Sequence, residues 1–470
     1  MSKILIKNPL LVATMNDERT EFSGGHILIE NDKITSLGSN DYQDIANEVI
    51  DASNMVILPG FINTHHHFYQ TLTRNIPRMQ NAPLFWWLND HYKLWRELTE
   101  EGITVSTKTA IAELMKSGAT TSSDHLYLFP KKTSAQLIDI EIEAAKEMGI
   151  RFHPTRGSMS LGKSNGGLPP DNVVQTEVEI QADTERLVAK YHDDSTGSML
   201  RIALAPCSPF SVTPELMRST AEYGKANNLL FHTHLAETLD EENFCIDKYG
   251  KRPVDYVDSL GWVSSNAWFA HTVHLNDNEI KLMGNAGCGV SHCPTSNMRL
   301  GSGIASIKEM TNAGISVSLA VDGSASNDSS NMLSEIRNAM LLSRLREDKH
   351  WLSARDVLWM ATRGGAQVLG RNDIGKLEIG KQADIAMFSL DSLEYAGGMS
   401  DPLASLVFTV RTTPVDHLIV NGKVQVRNSK LDFNEKKHIQ EHNRISADML
   451  KKATKNSSIN FMENKNVVIN

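Results

Sequence analysis

The strongest constraint on how this chain can fold is a repeated alternation of two patterns. Eight short β-rich runs can be counted, at 56–67, 119–128, 149–159, 200–210, 229–237, 267–275, 289–297 and 316–325. Helix-patterned segments lie between them, at 104–116, 134–147, 178–191, 214–226, 276–285 and 304–312. Gly118, Gly149, Gly287 and Gly314 stand just before the next β-run, where a helix end most readily takes a left-handed residue. Strands that alternate with helices pair in parallel, and eight such units close into an α/β fold of the (β/α)8 TIM-barrel type. Length alone would divide 470 residues into about three domains, but one barrel uses most of them as a single unit.

Both chain ends read differently. Short strands are expected at 4–6, 10–13, 26–30 and 33–37, with Asn31-Asp32 turning between the last two. Strands return at 375–388 and 417–426, where Asn421-Gly422 is a strong hairpin signal. The two ends are expected to form one small β-sandwich from 1–58 and 376–435, around a catalytic barrel at 59–375. A polar helix and tail follow at 436–470. The glycine- and proline-rich loop 160–172 reads equally well as an active-site lid or an ordinary surface loop.

Composition narrows the function. With 47 basic and 56 acidic residues the net charge is −9, which argues against a nucleic-acid backbone or an anionic membrane as the main partner. Four cysteines, Cys207, Cys245, Cys288 and Cys293, form no CxxC pair and suggest no disulfide framework. No apolar run approaches a membrane span, and the first residues lack an apolar leader, so a reducing cytoplasm is the expected compartment. The unusual count is histidine: 17 in all, with His65 and His292 bracketing ten more.

Their placement carries the chemistry. The first run ends in Pro59-Gly-Phe-Ile-Asn-Thr-His65-His66-His67, where strand alternation puts His65 and His67 on one face and turns His66 away. Two imidazoles on one face at a barrel mouth make a natural metal clip. The fifth run adds His232-Thr-His234-Leu-Ala-Glu237, and spacing leaves open which of its two histidines is a ligand. The sixth ends in Ala270-His271-Thr-Val-His274, and the eighth in Ala320-Val-Asp322-Gly-Ser. Each residue alone could be a satisfied core group, but together four strands deliver His or Asp to the same end.

These motifs, with SHCPTSN at 291–297 and VDGSASND at 321–328, resemble the amidohydrolase superfamily, specifically its mononuclear aminohydrolases, over almost the whole chain. The resemblance implies one divalent metal ion, Zn²⁺ first with Fe²⁺ as the alternative, held by His65, His67, His234 and Asp322. It implies Glu237 as proton shuttle and His271, with Asp322, as the base acting on water. His232 and His66 are left as packing residues. The third and fourth runs contain no lysine to bridge a second metal.

Closer likeness is to the branch holding bacterial 8-oxoguanine deaminases, with guanine, isoxanthopterin and s-triazine aminohydrolases beside it. It rests on His65-His-His-Phe-Tyr-Gln70, Ser123-Asp-His125-Leu-Tyr127, Ala205-Pro-Cys207-Ser-Pro-Phe and Phe244-Cys-Ile-Asp. This implies a small heterocyclic substrate and self-association into a homo-oligomer. Gln70 is expected on the purine edge, His125 and Cys207 near the imidazole-side oxygen, and Trp87 stacked on the ring. His292 and Asn297 either reach the substrate or brace the mouth. Arg201 does not fall in the register of the arginine that guanine deaminases use, which favours an altered purine. A triazine aminohydrolase and a catalytically silent binding subunit are the competing readings.

Overall fold

The computed structural model describes residues 2–42, 45–409 and 413–463; the remainder of the expected tail lies outside the described residues. Eight parallel strands in strict sequence order form the central, nearly closed barrel. They are β1 (Phe61–Asn63), β2 (Ala119–Leu126), β3 (Arg151–Ser158), β4 (Ala203–Pro206), β5 (Phe231–Leu235), β6 (Ala267–His271), β7 (Gly289–His292) and β8 (Ser316–Leu319). Side-chain hydrogen bonds tie β8 back to β1: Thr64 Oγ1 lies 2.6 Å from Ser318 Oγ, and Val321 N donates to Asn63 Oδ1 at 2.9 Å.

The run expected at 56–67 is two strands in two sheets. Met55–Pro59 pairs antiparallel with Ile385–Ser389, whereas β1 pairs parallel with β2. Gly60 separates them where a Cβ would come within 2.1 Å of the Thr120 side chain, so only glycine passes between the sheets. Of the helices, those that bear on the site are α1 (Leu84–Trp95), α2 (Glu100–Lys116), α3 (Leu137–Met148), α4 (Leu239–Tyr249), α5 (Pro294–Arg299) and α6 (Glu435–Ser457). Thr99 caps α2 through Gly102 N, and Gly149 ends α3 at φ +75°.

The chain ends build a four-stranded and a seven-stranded sheet, the second combining N- and C-terminal strands. Their facing sides bury one apolar cluster that includes Ile4, Ile27 and Ile34 from one sheet and Ile57, Ile385 and Ile419 from the other. Arg151 of β3 joins barrel to sandwich: its Nε donates to Asp384 Oδ2 at 2.9 Å, and Nη2 to Asn421 Oδ1 at 3.2 Å. Helix α6 lies along α2 and α1. No helix among the described residues is long and apolar enough to cross a membrane.

Candidate active site

The carboxyl ends of β1, β5, β6 and β8 bring His65, His67, His234, His271 and Asp322 together in the barrel mouth, all buried. Hydrogen bonds fix the imidazoles. His67 Nδ1 lies 2.8 Å from His125 O, and His234 Nδ1 lies 2.6 Å from Cys207 O. A carbonyl only accepts, so each Nδ1 carries the proton and each Nε2 presents a bare lone pair. His65 Nδ1 is engaged by His232 Nε2 at 2.7 Å, and His65 Nε2 is fully buried with no hydrogen-bond partner.

These lone pairs converge. His67 Nε2 and His234 Nε2 are 3.1 Å apart, with no proton to share between them. Asp322 Oδ1 is 3.3 Å from Nε2 of both His65 and His67. Four electron-rich atoms so close and so buried repel one another unless a cation joins them. Their spacing is that of neighbours around an ion with bonds of about 2 Å. The residues therefore fit a divalent metal, and the groups His65–His67–His234 and His65–His271–Asp322 each hold their ligand atoms within 4.8 Å. Burial disfavours the imidazolium at His65, His67 and His234, keeping each available as a neutral ligand.

The groups around this cluster are placed for proton transfer. Asp322 Oδ2 accepts from Ser296 Oγ at 2.5 Å and Ser326 Oγ at 3.2 Å, and Gly323 N donates to Oδ1 at 2.7 Å. Ser296 has Asn297 beside it on α5, and Asn297 Oδ1 accepts from His271 Nδ1 at 2.9 Å. One short helix thus orients both the carboxylate and the imidazole. His271 Nε2 then faces Glu237 Oε2 at 3.6 Å and Asp322 Oδ2 at 4.0 Å. Burial works against a charged His271, yet Glu237 and Asp322 outweigh it and raise its pKa. Glu237 is pushed above the ordinary carboxylate range by burial, partly offset by His271.

Glu237 itself hangs from a strained turn. Ala236 has φ +52°, and Glu241 on α4 holds the turn by accepting from Ala236 N at 2.9 Å and Glu237 N at 2.8 Å.

Above this floor is a slot lined by Gln70, Trp87, Tyr92, Tyr127, Cys207, Phe210 and Leu300, with Glu237, His271 and Asp322 at its base. Gln70, Trp87 and Cys207, expected from sequence as substrate contacts, are among these lining residues. Gln70 Oε1 accepts from Ala325 N at 3.3 Å and packs on Gly323, where a Cβ would lie 2.0 Å from it. Burial pushes the Cys207 thiol up to about 12, so it faces the slot as a neutral group. Arg201 is tied to Ser198, Asp194 and Ser195 ahead of β4, away from the slot.

His125 and His292 are not among the lining residues. His125 Nε2 donates to Ala205 O at 2.8 Å, which draws its ring down beside His234, stacked at 5.0 Å. Its contribution is the carbonyl that orients His67. His292 is buried at the end of β7, and Asn297 braces His271. Loop 160–172 also contributes no lining residue; it is braced on itself through Asp171 Oδ1, which accepts from Ser164 Oγ at 2.8 Å. Tyr92 and Leu300 are lining residues that sequence reasoning did not single out, and Ser296, Ser326 and Glu241 are supports it missed. The two serines lie inside motifs already noted, so a hydroxyl near a metal-ligating carboxylate was the available signal.

The comparisons agree with this geometry. Residues 56–425 match the model of the amidohydrolase family. An 8-oxoguanine deaminase from Pseudomonas aeruginosa is 49% identical over 429 residues, 91% of this chain and 94% of that protein. A hydroxydechloroatrazine ethylaminohydrolase from Pseudomonas sp. (strain ADP) is 35% identical over 430 residues, 87% of this chain and 88% of its own. Among solved structures, an atrazine chlorohydrolase from Arthrobacter aurescens TC1, complexed with zinc, superposes with a TM-score of 0.90 at 34% identity, covering 94% of this chain and 100% of that one. With its barrel, its four converging donors and these relatives, the chain belongs to the amidohydrolase family.

Proposed function

We propose that this protein is a metal-dependent hydrolytic deaminase of an oxidised purine, converting 8-oxoguanine and water to urate and ammonia. The observation that carries the reading is the set of four converging donor atoms, with His67–His234, His65–Asp322 and His67–Asp322 separations of 3.1–3.3 Å, at the floor of a slot that also holds Glu237 and His271. His65, His67, His234 and Asp322 would hold the ion, Zn²⁺ first and Fe²⁺ as the alternative. When bound, the ion supplies Lewis acidity that makes a water proton removable near neutral pH.

The chain's own groups supply the remaining steps. His271, its Nδ1–H fixed on Asn297, has Nε2 free to take a proton from water, with Asp322 orienting that water. Glu237, a buried carboxyl that holds its proton more tightly than usual, protonates the ring nitrogen beside the amino-bearing carbon. A C–O bond forms at that carbon, and the C–N bond breaks once the leaving nitrogen is protonated. Trp87 Nε1 and Tyr92 OH, both buried without hydrogen-bond partners, favour a ligand rich in carbonyl acceptors. The 8-oxo group adds such an acceptor to guanine, and the P. aeruginosa relative supports this choice.

The hydroxydechloroatrazine ethylaminohydrolase supports a second reading, hydrolysis of an alkylamino substituent. A screen of metal-loaded protein decides: ammonia from 8-oxoguanine in preference to guanine and isoxanthopterin is the expected result. Alkylamine release from hydroxytriazines with none from purines would replace the reading. The same reading assigns the protein to the cytoplasm and to a homo-oligomer, which cell fractionation and light scattering check.

A further inference from the structure

His67 and His234 present their Nε2 atoms because backbone carbonyls hold their Nδ1–H groups. His65 differs: its Nδ1 meets a side chain, His232 Nε2, at 2.7 Å. Which nitrogen donates is settled one step further out. His232 Nδ1 lies 2.9 Å from Trp268 O, and a carbonyl cannot donate. His232 Nδ1 therefore carries that ring's proton, its Nε2 accepts, and His65 Nδ1 must be the donor. The proton order leaves His65 Nε2 bare, the buried atom that has no hydrogen-bond partner.

Trp268 holds the arrangement from three sides. Its carbonyl fixes His232, and its ring stacks on the His232 ring at 4.4 Å and 15°. Its indole Nε1 donates to Thr64 O at 3.2 Å, one residue before His65. Strand register sets the first contact, because His232 and Trp268 are paired residues of β5 and β6.

We propose that His232 is a positioning residue for the metal: it sets the tautomer and aim of His65 through a His65–His232–Trp268 hydrogen-bond chain. His232 is a side chain that mutation can remove, whereas His67 and His234 are held by main-chain carbonyls, with Cys207 Sγ at a longer 3.9 Å from His234 Nδ1. A packing role, which its place beside His234 suggests from sequence, would leave metal affinity alone. The inference rests on the metal reading of His65, His67, His234 and Asp322 but not on the substrate.

The test is competition for Zn²⁺ between a chelator and the full chain. His232→Phe keeps the ring stack and removes the acceptor; it is expected to weaken Zn²⁺ binding by about 10–100-fold. His232→Gln offers an amide oxygen near the Nε2 position and is expected to restore affinity to within about threefold of the native value. Equal Zn²⁺ affinity in the Phe variant and the native protein would overturn the inference, as would a Gln variant no better than Phe. If the Phe variant does not fold, ring ¹⁵N NMR of the metal-free native protein decides instead. A His65 protonated on Nδ1 and bare on Nε2 supports the chain, and the opposite tautomer overturns it. None of these readouts uses a substrate, so failure of the deaminase reading would show separately, as absent ammonia release with this affinity ranking intact.

Discussion

Left-handed backbone in two regions of this molecule has opposite reasons. In two of the sandwich hairpins it falls on Asn31 (φ +57°), Asn421 (φ +49°) and Gly422 (φ +76°), residue types that tolerate it. At the barrel mouth it falls on Ala236 (φ +52°), His271 (φ +72°), Thr272 (φ +47°) and Asp322 (φ +61°), of which Ala and β-branched Thr are ill suited to it. In the hairpins the residue is chosen for the turn. In the site it is chosen for chemistry, or displaced by it, and neighbours hold the strain: Glu241 on Ala236 and Glu237, Leu235 O on Thr272 N at 3.0 Å, and His65 O on Asp322 N at 3.2 Å.

Substitutions on the two sides should therefore separate function from stability. The largest effect is expected from Glu237→Gln, which should keep its metal and its melting temperature but lose about 10²–10⁴-fold in kcat. Near-native turnover would remove Glu237 from the proton path. Gly422→Ala should do the reverse. Its Cβ would lie 1.8 Å from Asn31 O at a left-handed φ, so unfolding in urea should show a loss of about 2 kcal/mol or more with kcat unchanged.

Glu241→Gln keeps the size of the group but halves its acceptors for Ala236 N and Glu237 N. About a tenfold fall in kcat with little change in KM is expected, and an unchanged kcat would show that the turn holds itself. Ala236→Gly removes the strain and should match or exceed native stability by up to about 1 kcal/mol while lowering kcat. A clear loss of stability would mean the Ala236 methyl matters for packing more than its φ costs.

The smallest effect is expected at the end of β2, where no left-handed residue is used. There Asp124 Oδ1 accepts from Phe68 N at 2.6 Å, and Asp124 and Glu141 of α3 are a buried carboxyl pair that burial pushes above the ordinary range. Stability from a raised carboxyl is complete below the unfolded value of about 4 and is lost as pH rises toward the folded one. Glu141→Gln removes one titration and keeps a hydrogen-bond donor. Its stability relative to native should improve by about 1 kcal/mol between pH 5 and pH 9, measured by urea unfolding. A constant difference across that range would show that the pair does not hold a proton.

This contrast also explains what was legible. Both hairpin turns could be read directly, since Asn-Gly and Asn-Asp name their own backbone. The barrel followed from β/α alternation, and His65, His67, His234, Glu237, His271 and Asp322 were recognisable together at strand ends. His232 and His234 share a face, so spacing could not choose between them; the choice lies in what each Nδ1 meets, a relation across strands. The place of the His125 ring is likewise a relation across strands, because its hydrogen bond to Ala205 O of β4 decides where it goes. The division of 56–67 at Gly60 was hidden because both halves are apolar and β-patterned, and only the neighbouring Thr120 requires the break. Tyr92 looked like any aromatic of an amphipathic helix until α1 was laid over the slot.

The most direct test of the whole account is a zinc titration of metal-stripped protein, followed by ammonia release from 8-oxoguanine. Activity is expected to be absent without metal, to rise with each addition and to level off at one zinc per chain. Full ammonia release by the stripped protein, or none at any loading, would contradict it.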